Sequence, residues 1–314
     1  MKKRFILVSV LFILLVSCQP NHSTVTLALL GDLMLGRGVV PTLDSLAYLT
    51  PDLSAADLAL ANLESPLAPT TPSPISTYNL CASPTYADLL TAWGFDLLSL
   101  ANNHRDDCAP NGVDQTQSTL AAAGHGVEQT QSALTAAGLT GIVPDDEPVV
   151  REINGLRLAF FAFDDVSSPL NVDVAVQAIR SARADGALVI ISVHWGMEYQ
   201  GGASDRQKFL AQQFAEAGAA LVWGHHPHVL QPAEWIGAKP SQGCILVLYS
   251  LGNALFDQDG LADTRQSALV LATLDAQGVK SVRAVPFVID VTQSRAVAPD
   301  VEIAEKILER LSLP

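Results

Sequence analysis

The sequence predicts an α/β fold, and three observations carry that reading. Short aliphatic runs recur along the chain, each run ends in a polar residue able to bind a ligand, and stretches with helical spacing lie between them. Aliphatic runs of this length bounded by Gly, Asn or Asp read as strands buried on both faces, and strands alternating with helices read as an α/β architecture. In open α/β sheets the ligand crevice lies beyond the carboxyl ends of the strands, so the polar tips are expected to converge on one site.

Before the first run, Lys2, Lys3 and Arg4 precede an apolar stretch from Phe5 to Val16, followed by Ser17 and Cys18. This is the form of a secretory signal, and it falls short of the ~20 apolar residues that span a bilayer as a helix. Leu15-Val16-Ser17-Cys18 resembles a bacterial lipobox. The expectation is a signal over 1–17, a lipidated Cys18 as the mature N-terminus, a tether over 18–24 and one domain over 25–314. The protein would then lie outside the cytoplasm, anchored to the membrane through Cys18; an ordinary signal with a chance cysteine is the alternative.

The runs follow in order. Thr24 to Leu30 leads to Gly31-Asp32, Leu58 to Leu60 leads to Asn62 and Glu64, and Asp96 to Leu100 leads to Asn102-Asn103-His104. Leu188 to Val193 leads to His194, Ala219 to Trp223 to a histidine cluster, and Ile245 to Tyr249 to Asn253. Singly, an Asn at such a tip is a turn former or helix cap; six tips in series point to a shared site. Helices are expected over Pro84 to Trp93, Val174 to Ala184 and Asp205 to Ala217, with an amphipathic one over Asp300 to Leu311. Pro66 to Pro74 reads as an irregular loop, and Gln277-Gly278 as a hairpin turn. Gly112 to Gly124 is repeated as Gly126 to Gly138, a local duplication of one helical segment, with His125 a solvated residue in its joint.

Composition narrows the function. Forty-nine per cent hydrophobic residues in 314 exclude a disordered chain, and a net charge of −14 without a Lys/Arg cluster makes nucleic acid an unsuitable partner. Beyond Cys18, three cysteines can close one bridge. Cys244 opens an apolar run, whereas Cys81 and Cys108 both lie in polar loops, which favours Cys81–Cys108.

Trp223-Gly224-His225-His226-Pro227-His228 places three of the seven histidines in four positions. In an extended segment His226 and His228 would point to the same side, two imidazoles aimed at one ion. Trp195, Trp223 and Tyr199 are expected to pack beneath the loops.

Assembled, these motifs resemble the CapA family of poly-γ-glutamate capsule synthesis, whose fold is similar to that of calcineurin-like metallophosphoesterases. The residues that carry the resemblance are Gly31-Asp32 through Arg37, Asn62-Leu63-Glu64, Ala101 to His104, His194 to Tyr199, Gly224 to Gln231 and Tyr249 to Asn253 with Phe256-Asp257. The resemblance implies a four-layer α/β/β/α sandwich. It implies Asp32, Glu64, Asn103, His194, His226 and His228 as metal ligands, and His104 as the acid near the leaving group. Met34 stands where phosphoesterases commonly carry a second histidine, leaving one metal position short of a ligand. Mixed N and O donors suit one or two divalent transition ions, Mn, Zn or Fe, able to polarise a phosphoryl or carbonyl oxygen. Arg37 is a candidate clamp for an anionic substrate, and Glu198 a further site candidate.

Two functions follow as expectations. One is a metal-dependent hydrolase or transferase acting on an anionic polymer such as poly-γ-glutamate; the other is a non-enzymatic component that tethers the polymer and supports its synthase. His104 favours the first, and Met34 favours the second or a one-metal site.

Overall fold

The structure is a computed structural model describing residues 23–68, 79–108, 111–123, 139–144, 146–237 and 244–313. The expected signal, Cys18, most of the proline-rich loop, His125 and the second copy of the repeat lie outside the described residues.

The parallel strands divide between two sheets. Sheet 1 holds β1 (Val25–Leu33), β2 (Leu58–Leu63), β3 (Leu97–Ser99) and β4 (Thr140–Ile142). Sheet 2 holds β6 (Leu156–Asp164), β7 (Leu188–His194), β8 (Ala219–His225) and β10 (Ile245–Leu251). Antiparallel strands widen both. β12 (Gln266–Asp275), β13 (Gly278–Asp290) and β14 (Arg295–Val297) continue sheet 1 beyond β1, while β5 (Val149–Ile153) and β9 (Leu230–Ile236) edge sheet 2. The short β11 (Asn253–Leu255) pairs in parallel with the end of β1. The six polar tips therefore follow strands of two sheets, three from each, instead of one open sheet.

Side-chain alternation explains the layers, because successive residues of a strand face opposite sides. Leu27 and Leu29 of β1 and Leu60 of β2 join Phe160, Ile190, Leu221, Trp223, Leu246 and Leu248 of sheet 2 in one core between the sheets. Their neighbours Ala28, Leu30, Ala59 and Ala61 face the other way, onto α1 (Thr50–Ala55), α2 (Tyr86–Ala92) and α3 (Gly112–Ala123) through Leu53, Leu90 and Leu120. On the far side of sheet 2, Phe161, Val189, Ile191, Val222 and Val247 meet Ile179 of α4 (Val172–Ala184) and Leu210 and Phe214 of α5 (Asp205–Ala217). The result is the α/β/β/α sandwich. The amphipathic α6 (Val301–Leu311) lays Ile307 and Leu311 against the core between the sheets.

A close approach at Gly31 brings two of the strand tips together. A Cβ on Gly31 would stand 1.8 Å from the Gly252 carbonyl oxygen, so only glycine lets β1 approach the turn after β10. Across that contact Asp32 N donates to Gly252 O (2.9 Å) and Asp32 is registered against Asn253. Cys81 and Cys108 form the expected disulfide, Cα atoms 5.4 Å apart, and Cys244 is free and buried.

Candidate metal centre

The carboxyl ends of both sets of parallel strands meet at one place. β1 delivers Asp32, β2 delivers Asn62 and then Glu64, and the loop after β3 delivers Asn102, Asn103 and His104. From sheet 2 come His194 at the end of β7, His225 at the end of β8 with His226 and His228 behind it, and from the turn after β10 comes Asn253.

Asp32, Glu64 and His228 each offer a ligand atom within 4.8 Å of the others, and Glu198, His226 and His228 form a second such group that shares His228. Asp32 is held from several sides: Asn62 Nδ2 donates to Oδ1 (2.8 Å), the His226 amide donates to Oδ2 (3.1 Å), and His228 Nδ1 stands 3.3 Å from Oδ2. Asn103 Oδ1 meets His194 Nε2 at 2.8 Å, and Asn253 Oδ1 meets His228 Nδ1 at 2.9 Å. Both oxygens of Glu64 and Nδ1 of His226 are buried without a hydrogen-bond partner. A buried carboxylate left in that state is costly unless a cation completes it. The donor set and its orphaned atoms therefore fit a divalent ion held by Asp32, Glu64 and His228, with His194, His226 and Asn103 alongside.

The electrostatics agree with that fit. Burial pushes the Glu64 carboxyl up to about 7 against the pull of His228. Burial alone would lower His228, but Glu64 and Asp32 raise it to about 9. His226, buried beside His228, drops to about 4, and His194 is held well below the usual imidazole range by burial and by His226. Burial opposes ionisation of Asp32, yet the facing imidazoles of His225 and His228 keep it well below the ordinary carboxylate range.

The family model described as bacterial capsule synthesis protein PGA_cap matches residues 26–258. The chain belongs to this PGA_cap family. The PGA biosynthesis protein CapA of Bacillus subtilis (strain 168) is 27% identical to it over 290 residues, spanning 85% of this chain and 72% of the relative. The capsule biosynthesis protein CapA of Bacillus anthracis is 30% identical over 295 residues, spanning 85% and 68%. A hypothetical protein from Thermus thermophilus has a TM-score of 0.52 at 15% identity, over 83% of this chain and 98% of its own, a likeness of fold.

Within this PGA_cap domain the histidine loop departs from the extended geometry read from its sequence. His226 and His228 have φ of 93° and 57°, so the two imidazoles reach the centre from a bend of left-handed residues, their ring centroids 5.8 Å apart. Such backbone is costly outside glycine and persists only where the surroundings fix it. Here the fixing bonds are those of His226 N to Asp32 and of Tyr199 N to Pro227 O (2.8 Å).

His104 stands at the edge of the centre, Nε2 3.9 Å from Glu64 Oε1 and Nδ1 3.0 Å from Asp107 Oδ2. Burial would lower its pKa, but Asp107 and Glu64 raise it. Met34 is buried in the helix-side core, and its sulfur accepts from Gly36 N, so it offers nothing to an ion. Arg37 is bonded to Asp257 and lies over the Phe256 ring, 5.2 Å from its centroid. Trp195 and Trp223 are fully buried, as expected, whereas Tyr199 is 44% exposed and lies on the rim. There it helps line a cavity of about 250 Å³ with Arg37, Asp257 and Gln258. A larger cavity, about 830 Å³, lies away from the centre, on the face of β5 and β6 beside α4.

Sequence reasoning counted Asn62, Asn102 and Asn253 among the converging tips without giving them individual roles, and it did not single out Asp107. Asn102 Nδ2 donates to Leu63 O (2.9 Å) and its Oδ1 accepts from His104 N (3.1 Å), tying the His104 loop to β2. The signal was the tip series itself, in which each Asn follows a buried strand directly.

Proposed function

We propose that this PGA_cap protein acts outside the cytoplasm, lipid-anchored through Cys18, in the assembly of poly-γ-glutamate or a related anionic polymer, as a metal-dependent hydrolase or transferase. The observation that carries the reading is the buried Asp32–Glu64–His228 cluster, with both Glu64 oxygens lacking any hydrogen-bond partner. Ions bound by Asp32, Glu64, Asn103, His194, His226 and His228 would supply Lewis acidity toward a phosphoryl or carbonyl oxygen and hydroxide at neutral pH.

The chain's own groups do the rest. His104, its pKa raised and its Nδ1 facing Asp107, is placed to hand a proton from Nε2 to a leaving group. Asp32 accepts from His226 N and so fixes the histidine loop, and Glu198 extends the donor set toward the solvent side. An anionic substrate must compete with Asp257 for Arg37, so that clamp selects groups able to displace a carboxylate. The disulfide supports an oxidising compartment. Among the described residues no helix is long and apolar enough to cross a membrane.

Met34 favours a second reading, a tethering component that supports the synthase, because its buried sulfur leaves one metal position a ligand short. His104→Ala separates the two. Loss of a general acid slows a hydrolase by roughly 10² to 10⁴, about 3 to 5 kcal/mol of barrier, while folding and metal binding persist. The variant is expected to keep its metal and thermal midpoint and to fail to restore surface polymer in a deletion strain. Full restoration would overturn the enzymatic reading.

A further inference from the structure

His225 is the one imidazole of the cluster that the ligand set leaves without work. It is fully buried, and neither ring nitrogen has a hydrogen-bond partner. A histidine in that position is a costly way to fill space, since phenylalanine would pack as well without a stranded polar atom. The ring is nevertheless held in place: Trp223 meets it edge-on, centroids 4.4 Å apart at 81°, and its own backbone carbonyl accepts from Trp195 N (3.1 Å). In that orientation Nδ1 faces Asp32 Oδ1 at 3.5 Å. The same oxygen accepts from Asn62 Nδ2 (2.8 Å), and the other Asp32 oxygen is engaged by His226 N and His228 Nδ1.

We infer that His225 is a positioning residue for Asp32: its Nδ1–H, 3.5 Å from Oδ1, attracts the carboxylate alongside the bond from Asn62, so that Asp32 keeps a lone pair turned to the ion. The inference rests on the reading of Asp32 as a metal ligand. It also bears on Met34, whose sulfur is turned to Gly36 N. With no side chain entering from that position, Asp32 carries more of the ion's hold, and its orientation matters correspondingly more. Ionised Asp32 can only accept, which requires the proton of His225 on Nδ1. Partners of this kind, one bond removed from the ion, typically change metal affinity 10 to 100-fold when lost.

The test uses the full chain, stripped of metal with a chelator and titrated with Mn(II), free ion being read by electron paramagnetic resonance. His225→Phe keeps the packing and removes the donor; His225→Asn places an amide nitrogen where Nδ1 stands. The Phe variant is expected to keep or raise the thermal midpoint of the metal-free protein and to bind Mn(II) about 10 to 100-fold more weakly. The Asn variant is expected to recover most of the affinity. Wild-type affinity in the Phe variant overturns the inference. So does an Asn variant as weak as Phe, or a Phe variant whose metal-free midpoint falls, since either assigns His225 to packing. A wild-type chain that takes up no Mn(II) overturns the metal reading itself, and this inference with it.

Discussion

Replacing Cys81 and Cys108 together by alanine tests how the loop that carries Asn103 and His104 is held. The bridge closes a sequence separation of 27 residues. In the chain-entropy account a crosslink over such a loop contributes about 3.5 kcal/mol, which at about 2 °C per kcal/mol for a chain of this size is a fall of about 7 °C in thermal midpoint. The effect has a local part as well. Asp107, next to Cys108, accepts from Leu80 N (3.3 Å), next to Cys81, with the same oxygen that faces His104 Nδ1. Without the bridge the two segments that Asp107 spans are free to separate. Amide exchange at His104 and Asp107, whose N–H groups donate to Asn102 Oδ1 and His104 O, should then speed up relative to β1 and β2. Calorimetry and hydrogen exchange on the double variant read both parts. A midpoint within a degree of wild type, or loop exchange that keeps pace with the strands, would refute the clamp.

In the metal-free protein His228, at about 9, still carries a proton at pH 7, and Glu64, at about 7, carries part of one. An ion must displace both, so titration in weak buffer should release between one and two protons, and the apparent affinity should climb with pH and level off near 9; no proton release would contradict the His228 assignment. The same raised pKa makes the metal-free fold lose stability as pH rises from 6.5 through about 9, which denaturant midpoints in the presence of chelator will show. Gly31→Ala would drive a methyl into the Gly252 carbonyl and part Asp32 from Asn253, for a loss of about 3 kcal/mol in urea unfolding; an unchanged midpoint would mean the contact yields freely. Cys18→Ser should move the protein out of the membrane fraction, and continued sedimentation with membranes would point to the uncleaved apolar run as the anchor.

The parts of the fold legible in the sequence are those whose signal is local. β1, β2, β7, β8 and β10 are near-continuous aliphatic runs because they are buried on both faces, and that pattern needs no knowledge of their neighbours. β6 obeys the same rule, with Leu158 to Phe163 running into Asp164, and belongs in the series. β9 does not: Gln231, Pro232 and Glu234 break its pattern, and only pairing with β10 makes it a strand. The division into two sheets is a tertiary fact, since β2 and β7 look alike until Leu60 and Ile190 are seen to share one core. At the centre, residue types were legible because few other uses exist for His194, His226 and His228 at strand tips. The left-handed backbone of the histidine loop was not, since it depends on Asp32 reaching across from the other sheet. Nor was the capture of Arg37 by Asp257, a pairing between distant segments.

The place of β1 sets an order of events for the chain as it is made. β1 lies between β2, which follows it closely, and β12, with Val25 paired to Leu274 across nearly the whole sequence. The core between the sheets then waits further, for Ile307 and Leu311 of α6. Emerging residue by residue, the first strand has only one of its two neighbours until almost everything else has been synthesised. A topology dominated by such distant pairings folds slowly and late. The amino-terminal strand therefore stays open on its β12 side until residues about 240 positions later arrive, and the core between the sheets closes only when α6 docks.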